Sequence, residues 1–183
     1  FFRFWSAANE PRAVVLISHG LGEHSGRYEH VAAALTADNL DVYAPDHIGH
    51  GKSPGKPAYI DRFSDLTSGV SELRDHIRRH HAGLPVILIG HSMGGLIAIR
   101  LALGAHADYA GLILTGPLLG QPEAPSRLQV MLLRVLSVLA PKVKAIEIDA
   151  SAVSRDPAVV SDYIADPLVH HDNIPARTVV SLF

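Results

Sequence analysis

The stretch Pro85-Val86-Ile87-Leu88-Ile89-Gly90-His91-Ser92-Met93-Gly94-Gly95-Leu96-Ile97-Ala98-Ile99-Arg100-Leu101-Ala102-Leu103 decides the fold. Its first five residues form an apolar run of strand length, and its last nine read as a helix. Between them a serine has glycine two places to either side, the pattern of a sharp strand-to-helix turn. The requirement is steric. The residues flanking the serine approach neighbouring backbone so closely that only a small residue fits. Strain in the turn lifts the Ser92 hydroxyl clear of the sheet. The helix start beside it offers free backbone N–H groups to a developing negative charge. Glycine-x-serine-x-glycine alone arises often by chance, and an ordinary strand-to-helix turn can hold a serine. The strand before it and the helix after it give the motif its weight.

Upstream the same alternation repeats. Phe1 to Trp5 reads as a strand, with Phe2 and Phe4 alternating against Arg3 and Trp5. Ala13-Val14-Val15-Leu16-Ile17-Ser18 is a continuous apolar run, as expected of a strand buried on both faces. A loop from His19 to Arg27 leads into a helix over about 28–38, and Asp41 to Pro45 is a third strand ending at Asp46. Residues 47–58 are rich in Gly, Pro and Lys and read as a loop. The spacing of Leu66, Val70, Leu73 and Ile77 predicts a helix over 63–81. A further strand follows at Gly111-Leu112-Ile113-Leu114-Thr115. Strands alternating with helices predict an α/β fold: a mostly parallel sheet with helices on both faces. Ligands of such sheets sit beyond the carboxyl ends of the strands, where His19-Gly20, Asp46 and Ser92 fall.

The bulk properties narrow the function. The chain has 183 residues, 48% hydrophobic and 19% charged, which suits one globular domain. A formal net charge of -2 offers no large cationic surface for nucleic acid. There is no cysteine, so disulfide and thiol chemistry are excluded. No apolar run reaches the roughly 18 residues of a membrane span, and no signal peptide is visible. The 12 histidines suggest a metal at first sight, yet His80-His81 and His170-His171 show no zinc-ligand spacing with partners, so no metal and no cofactor is expected. Gly51-Lys52-Ser53 fails as a phosphate-binding loop, because the glycine required five residues earlier is Asp46.

After Pro117 the pattern changes. Pro122 and Pro125 mark a loop, and residues 126–140 then read as a helix ended by Pro141. Its apolar residues (Leu128, Val130, Met131, Leu132, Leu133, Val135, Leu136, Val138, Leu139) cover most of the circumference, whereas a surface helix keeps a narrower stripe. Such a helix is either buried all round or a lid with a greasy face that touches lipid or membrane.

These motifs resemble those of the α/β-hydrolase superfamily, and within it the monoacylglycerol lipase and lysophospholipase branch. The matching stretches are 18–28 (SHGLGEHSGRY), 46–53 (DHIGHGKS), 90–95 (GHSMGG), Ser154-Arg155-Asp156 and 163–168 (YIADPL). The resemblance implies an α/β-hydrolase fold with an inserted cap, in which 1–117 belong to the core, 118–175 to the cap and 176–183 to the start of a return to the core. It implies a carboxylic ester hydrolase that cleaves monoacylglycerol to fatty acid and glycerol. Lysophospholipase or general carboxylesterase activity is the alternative within the enzyme class. Ser92 is then the nucleophile, and Met93 and Leu21 give the backbone N–H donors of the oxyanion hole. Arg27, Tyr163 and Glu23 are implied as contacts to the polar head, although Glu23 and Arg27 can also simply pair across their loop. The implied partner is a lipid ester, and the implied setting is the cytoplasm with peripheral membrane contact through helix 126–140.

One departure stands out. The triad of this fold runs Ser, then Asp or Glu, then His. After Ser92 only His106, His170 and His171 remain, and the acids Asp149, Asp156 and Asp166 fall in the cap-like stretch. No strand followed by an acid or a histidine occurs after Leu114. The economical expectation is the front portion of a longer enzyme, its C-terminal strands missing, and close to inert alone. Loss of triad members costs about 10⁶ in rate in a reference protease. The rival from another class is a non-catalytic binding protein on the same fold, which has no need of a strained serine.

Overall fold

The computed structural model of the protein describes residues 1–104, 109–120 and 126–182. His106 and the prolines Pro122 and Pro125 lie outside the described residues. The first half of the chain builds a five-stranded sheet from β1 (Phe2–Trp5), β2 (Ala13–Ser18), β3 (Leu40–Pro45), β4 (Val86–His91) and β5 (Gly111–Thr115), in the order β1-β3-β2-β4-β5. β1 runs antiparallel to β3, and the other pairs are parallel. Helices α1 (Glu29–Ala37), α2 (Phe63–His80) and α3 (Met93–Ala102) connect the strands.

The two-residue period of a strand explains the two cores. On one face Val14 and Leu16 of β2 join Leu88 of β4, the four-residue ladder of α2 (Leu66, Val70, Leu73, Ile77) and Ile97 of α3. On the other, Val15 and Ile17 pack with Val42 and with Ala32 of α1. Every residue of β2 and β3 is buried, as the unbroken apolar run of β2 predicts, and in β3 the burial extends to the charged Asp41. β5 differs. It is an edge strand, and Leu112 and Ile113 are exposed.

The second half lies against the carboxyl edge of the sheet. It contains α4 (Arg127–Leu139), α5 (Pro157–Ala165), α6 (Ala176–Leu182) and a small antiparallel ladder of β6 (Lys144–Ile146) with β7 (Ile174–Pro175). α4 starts with a full capping box, Ser126 and Gln129 each bonding the other's backbone N–H. Asp156 caps α5 and Pro157 occupies its first turn. The apolar tail Val179-Val180-Ser181-Leu182 is helical, within α6. Thr178 ties that helix to the core, its hydroxyl donating to the Ala58 carbonyl at 2.7 Å and accepting from Ile60 N–H at 2.9 Å.

α4 is not buried all round. Leu128, Met131, Leu132, Val135, Val138 and Leu139 are all exposed, Leu139 to 79%. Only one side packs inward, where Leu133 meets Ala58, Ile174 and Val179.

Candidate active site

Ser92 sits in the turn between β4 and α3 with φ 51° and ψ -115°. A non-glycine residue there costs on the order of 1–3 kcal/mol and persists only where the surroundings over-determine it. The surroundings are visible. A Cβ on Gly90 would strike the backbone of Gly94 and Gly95, and one on Gly94 would strike the Ser18 carbonyl. The turn is pinned from β5 as well. Ser92 N–H donates to the Thr115 carbonyl at 3.1 Å, and the Ser92 carbonyl accepts from Gly95, Leu96 and Leu118 N–H.

The loop after β2 forms the facing wall. Glu23 is its hub. Its Oε1 accepts from Gly20 N–H at 2.6 Å and from the Tyr28 hydroxyl at 2.7 Å, while Oε2 lies 3.3 Å from Arg27 Nε. Burial and the Glu23 charge push the Tyr28 hydroxyl far above its ordinary pKa, so it stays a donor. Arg27 lays its guanidinium over the Tyr163 ring, 4.7 Å from the centroid. The expected pairing of Glu23 with Arg27 across their loop is therefore present, and both Glu23 oxygens have protein partners.

Behind this wall lies a block of buried imidazoles. His19 Nδ1–H donates to the Gly20 carbonyl at 2.7 Å, and its Nε2 accepts from His47 N–H at 3.0 Å. Since the Gly20 carbonyl and the Leu21 N–H belong to one planar peptide, this bond orients the Leu21 N–H. His47 Nε2 pairs with the Ser18 hydroxyl at 3.0 Å. Burial pushes His19 down to about 4 and His50 down to about 3, and lowers His47 well below its ordinary value, so all three are neutral at pH 7. Asp46 anchors the block by accepting from Ser25 N–H, the Ser25 hydroxyl and Lys52 N–H. Those bonds, with the nearby His19, hold its carboxyl low against the opposing effect of burial.

Five of the six expected site residues line one cavity of about 500 Å³: Ser92, Leu21, Glu23, Arg27 and Tyr163. Met93, the sixth, has its side chain in the core. Among the described residues, neither Leu21 N–H nor Met93 N–H is used in a turn, cap or loop hydrogen bond. The cavity's polar end is Glu23, Arg27 and Tyr163. Its apolar wall comes from the second half of the chain, chiefly Ile146, Ile148, Val153, Ile174 and Val179. Residue-type reasoning missed that wall, because scattered aliphatic residues carry no motif. It also missed Tyr28 as a hydrogen-bond partner of the loop, whereas His19 was singled out by its place directly after the apolar strand.

The later acids and histidines have other places. Asp149 caps the turn Ala150–Ala152, and Asp156 caps α5. Asp166 accepts from His24 Nε2–H at 2.8 Å, which ties the loop after β2 to the segment after α5. His170 lines a separate cavity, and His171 Nε2–H donates to the Asp166 carbonyl. Among the described residues the Ser92 hydroxyl makes no hydrogen bond to a histidine or carboxylate, and no three His, Cys, Asp or Glu side chains are grouped to hold a metal ion.

A strained serine at the carboxyl edge of a parallel sheet, flanked by unused N–H groups, defines an α/β-hydrolase. The chain belongs to the family described as serine aminopeptidase, S33, which it matches over residues 9–183. Its relatives place it in the monoacylglycerol lipase-like branch. It is 41% identical over 172 residues to a monoacylglycerol lipase of Mycolicibacterium smegmatis, covering 94% of this chain and 61% of that protein. It is 40% identical over 170 residues to the Homo sapiens monoglyceride lipase, covering 92% and 56%. The crystal structure of the Paleococcus ferrophilus monoacylglycerol lipase superimposes with a TM-score of 0.85 at 34% identity, covering 100% of this chain and 68% of that one. The chain thus spans about three fifths of the length of these curated relatives.

Proposed function

We propose that the chain carries the nucleophile, oxyanion hole and substrate cavity of a serine ester hydrolase that cleaves monoacylglycerol to fatty acid and glycerol. The observation that carries this reading is the cavity in front of Ser92, polar at one end and aliphatic along its wall, the shape of a one-chain amphiphile. Ser92 Oγ attacks the ester carbonyl, and Met93 and Leu21 N–H groups receive the oxyanion, each donor worth roughly 3–4 kcal/mol of barrier. Glycerol leaves, and water hydrolyses the acyl-enzyme. Arg27 and Tyr163 face the glycerol head. Glu23 holds the oxyanion loop through Oε1, and its charge is offset by Arg27 beside Oε2.

The same argument separates an ester substrate from the peptide amino terminus suggested by the family's description. A cationic amine needs a free carboxylate. Glu23 is the only acid lining this cavity among the described residues, and it is already paired. In this reading residues 1–117 act as the catalytic layer and 118–175 as a cap, with 176–183 returning toward the core. The exposed apolar face of α4 rests on the lipid layer that holds the substrate. The described residues contain no helix long and apolar enough to cross a membrane.

The test is made on the intact protein bearing this sequence. Monoacylglycerol hydrolysis and fluorophosphonate labelling are both expected, and Ser92→Ala should abolish labelling and lower turnover by about 10⁶. Amino-acid arylamides cleaved faster than monoacylglycerol would overturn the substrate class. Unlabelled, inactive protein would overturn the enzyme reading in favour of a binding protein.

A further inference from the structure

A second cavity of about 510 Å³ lies on the other side of Gly22 from the Ser92 cavity. It is bounded by the Gly49-His50-Gly51 loop and by the segment 167–172. Three imidazoles line it, those of His50, His170 and His171, and the first two have a buried Nε2 without a hydrogen-bond partner among the described residues. Orphaned buried nitrogens are rare, and each costs about 1–3 kcal/mol if nothing meets it.

The chemistry of His50 is fixed by its other nitrogen. Nδ1 lies 3.0 Å from the Ile48 carbonyl, which can only accept, so Nδ1 carries the proton and Nε2 presents a bare lone pair. His50 is 4% exposed, and burial keeps the ring neutral. A neutral imidazole whose far N–H is held by a backbone carbonyl is the arrangement of a metal-ligating histidine. His170 lines the same cavity, on the wall formed by the segment after α5. Its own backbone is held, its N–H donating to the Gly22 carbonyl at 2.7 Å. Neighbouring His171 is not equivalent, because its Nε2–H is given to the Asp166 carbonyl.

We propose that His50 and His170 together bind a borderline divalent cation of the Zn²⁺, Cu²⁺ or Ni²⁺ class through their Nε2 atoms. Nitrogen donors select these ions over Mg²⁺ or Ca²⁺. With two protein ligands, water completes the coordination sphere, so the site is accessory and exchangeable. Bound there, the ion clamps the loop after β3 to the segment after α5, next to Gly22 and one residue from the oxyanion donor Leu21. The site is independent of the ester-hydrolase reading.

Thermal unfolding of the intact protein with ZnCl₂, and with MgCl₂ as the control, tests it. At a hundred-fold excess over Kd, Zn²⁺ is expected to raise Tm by roughly 5–10 °C, and Mg²⁺ to leave it unchanged. His170→Gln should remove the Zn²⁺ shift while the protein stays folded, as His170 is only partly buried. A second pair of neighbouring imidazoles, His76 and His80, lies one helical turn apart on α2 with ring centroids at 4.1 Å. His76→Ala/His80→Ala should keep the shift. No Zn²⁺ shift in the parent, or a shift that survives His170→Gln, overturns the proposal. Visible absorption of the Co²⁺-loaded protein, expected in the parent and absent in His170→Gln, gives a readout free of any stability change.

Discussion

The two walls of the Ser92 cavity are built on opposite principles. The wall from the sheet edge is polar and hydrogen-bonded: Glu23 and His19 bond specific backbone and hydroxyl groups, and Asp46 accepts from both the N–H and the hydroxyl of Ser25. The wall from residues 146–182 is aliphatic, and its one described side-chain hydrogen bond back to the loop after β2 is Asp166 to His24. The outer helix α4 leaves six large apolar side chains in solvent. Hydrogen bonds are directional and fix atoms for chemistry, whereas aliphatic contact is non-directional and fits a flexible acyl chain. One wall is made to hold geometry and the other to accept shape.

If that contrast is right, acid should attack the polar wall first. His19, His47 and His50 have folded pKa values below the unfolded value of about 6.5, so the unfolded state binds more protons and stability rises with pH. Their contribution is whole above pH 6.5 and is lost as pH falls toward 4, at up to about 1.4 kcal/mol per pH unit for each imidazole. Denaturant midpoints measured from pH 7.5 to 4.5 should fall steeply below 6.5. A flat profile would break the view of a neutral imidazole block.

Glu23→Ala is the next largest effect. It strands the Gly20 N–H and the Tyr28 hydroxyl, and about 2–4 kcal/mol of stability should be lost. Urea unfolding checks this, and Glu23→Gln should recover part of it. A loss below about 0.5 kcal/mol would mean that the loop does not depend on its hub.

The smallest effect on stability belongs to the aliphatic wall's outer face. Leu132→Ser/Val135→Ser should change folding by less than about 0.5 kcal/mol, since both side chains are already exposed. The same pair should weaken binding to phosphatidylcholine vesicles by roughly tenfold or more, given about 0.8 kcal/mol per buried CH₂. Unchanged vesicle binding, measured by flotation, would remove the proposed lipid contact.

The sequence alone determined the elements whose pattern is local. The runs of β2 and β3, the ladder Leu66, Val70, Leu73, Ile77 and the glycines around Ser92 are each dictated by neighbours within a few residues. So was the placement of His19, Asp46 and Ser92 at strand ends. Tertiary structure alone decided the matters that depend on distant partners. Whether α4 is buried rests on what faces it, and its apolar circumference was compatible with either outcome. That Glu23 gathers Gly20, Tyr28 and Arg27 around it likewise depends on how the loop folds. His24 meeting Asp166, 142 positions away, and His50 meeting the cavity of His170 left no trace in spacing. The reason is physical: periodicity records which side of its own element a residue occupies, while a hydrogen bond between loops depends on how the whole sheet brings their ends together.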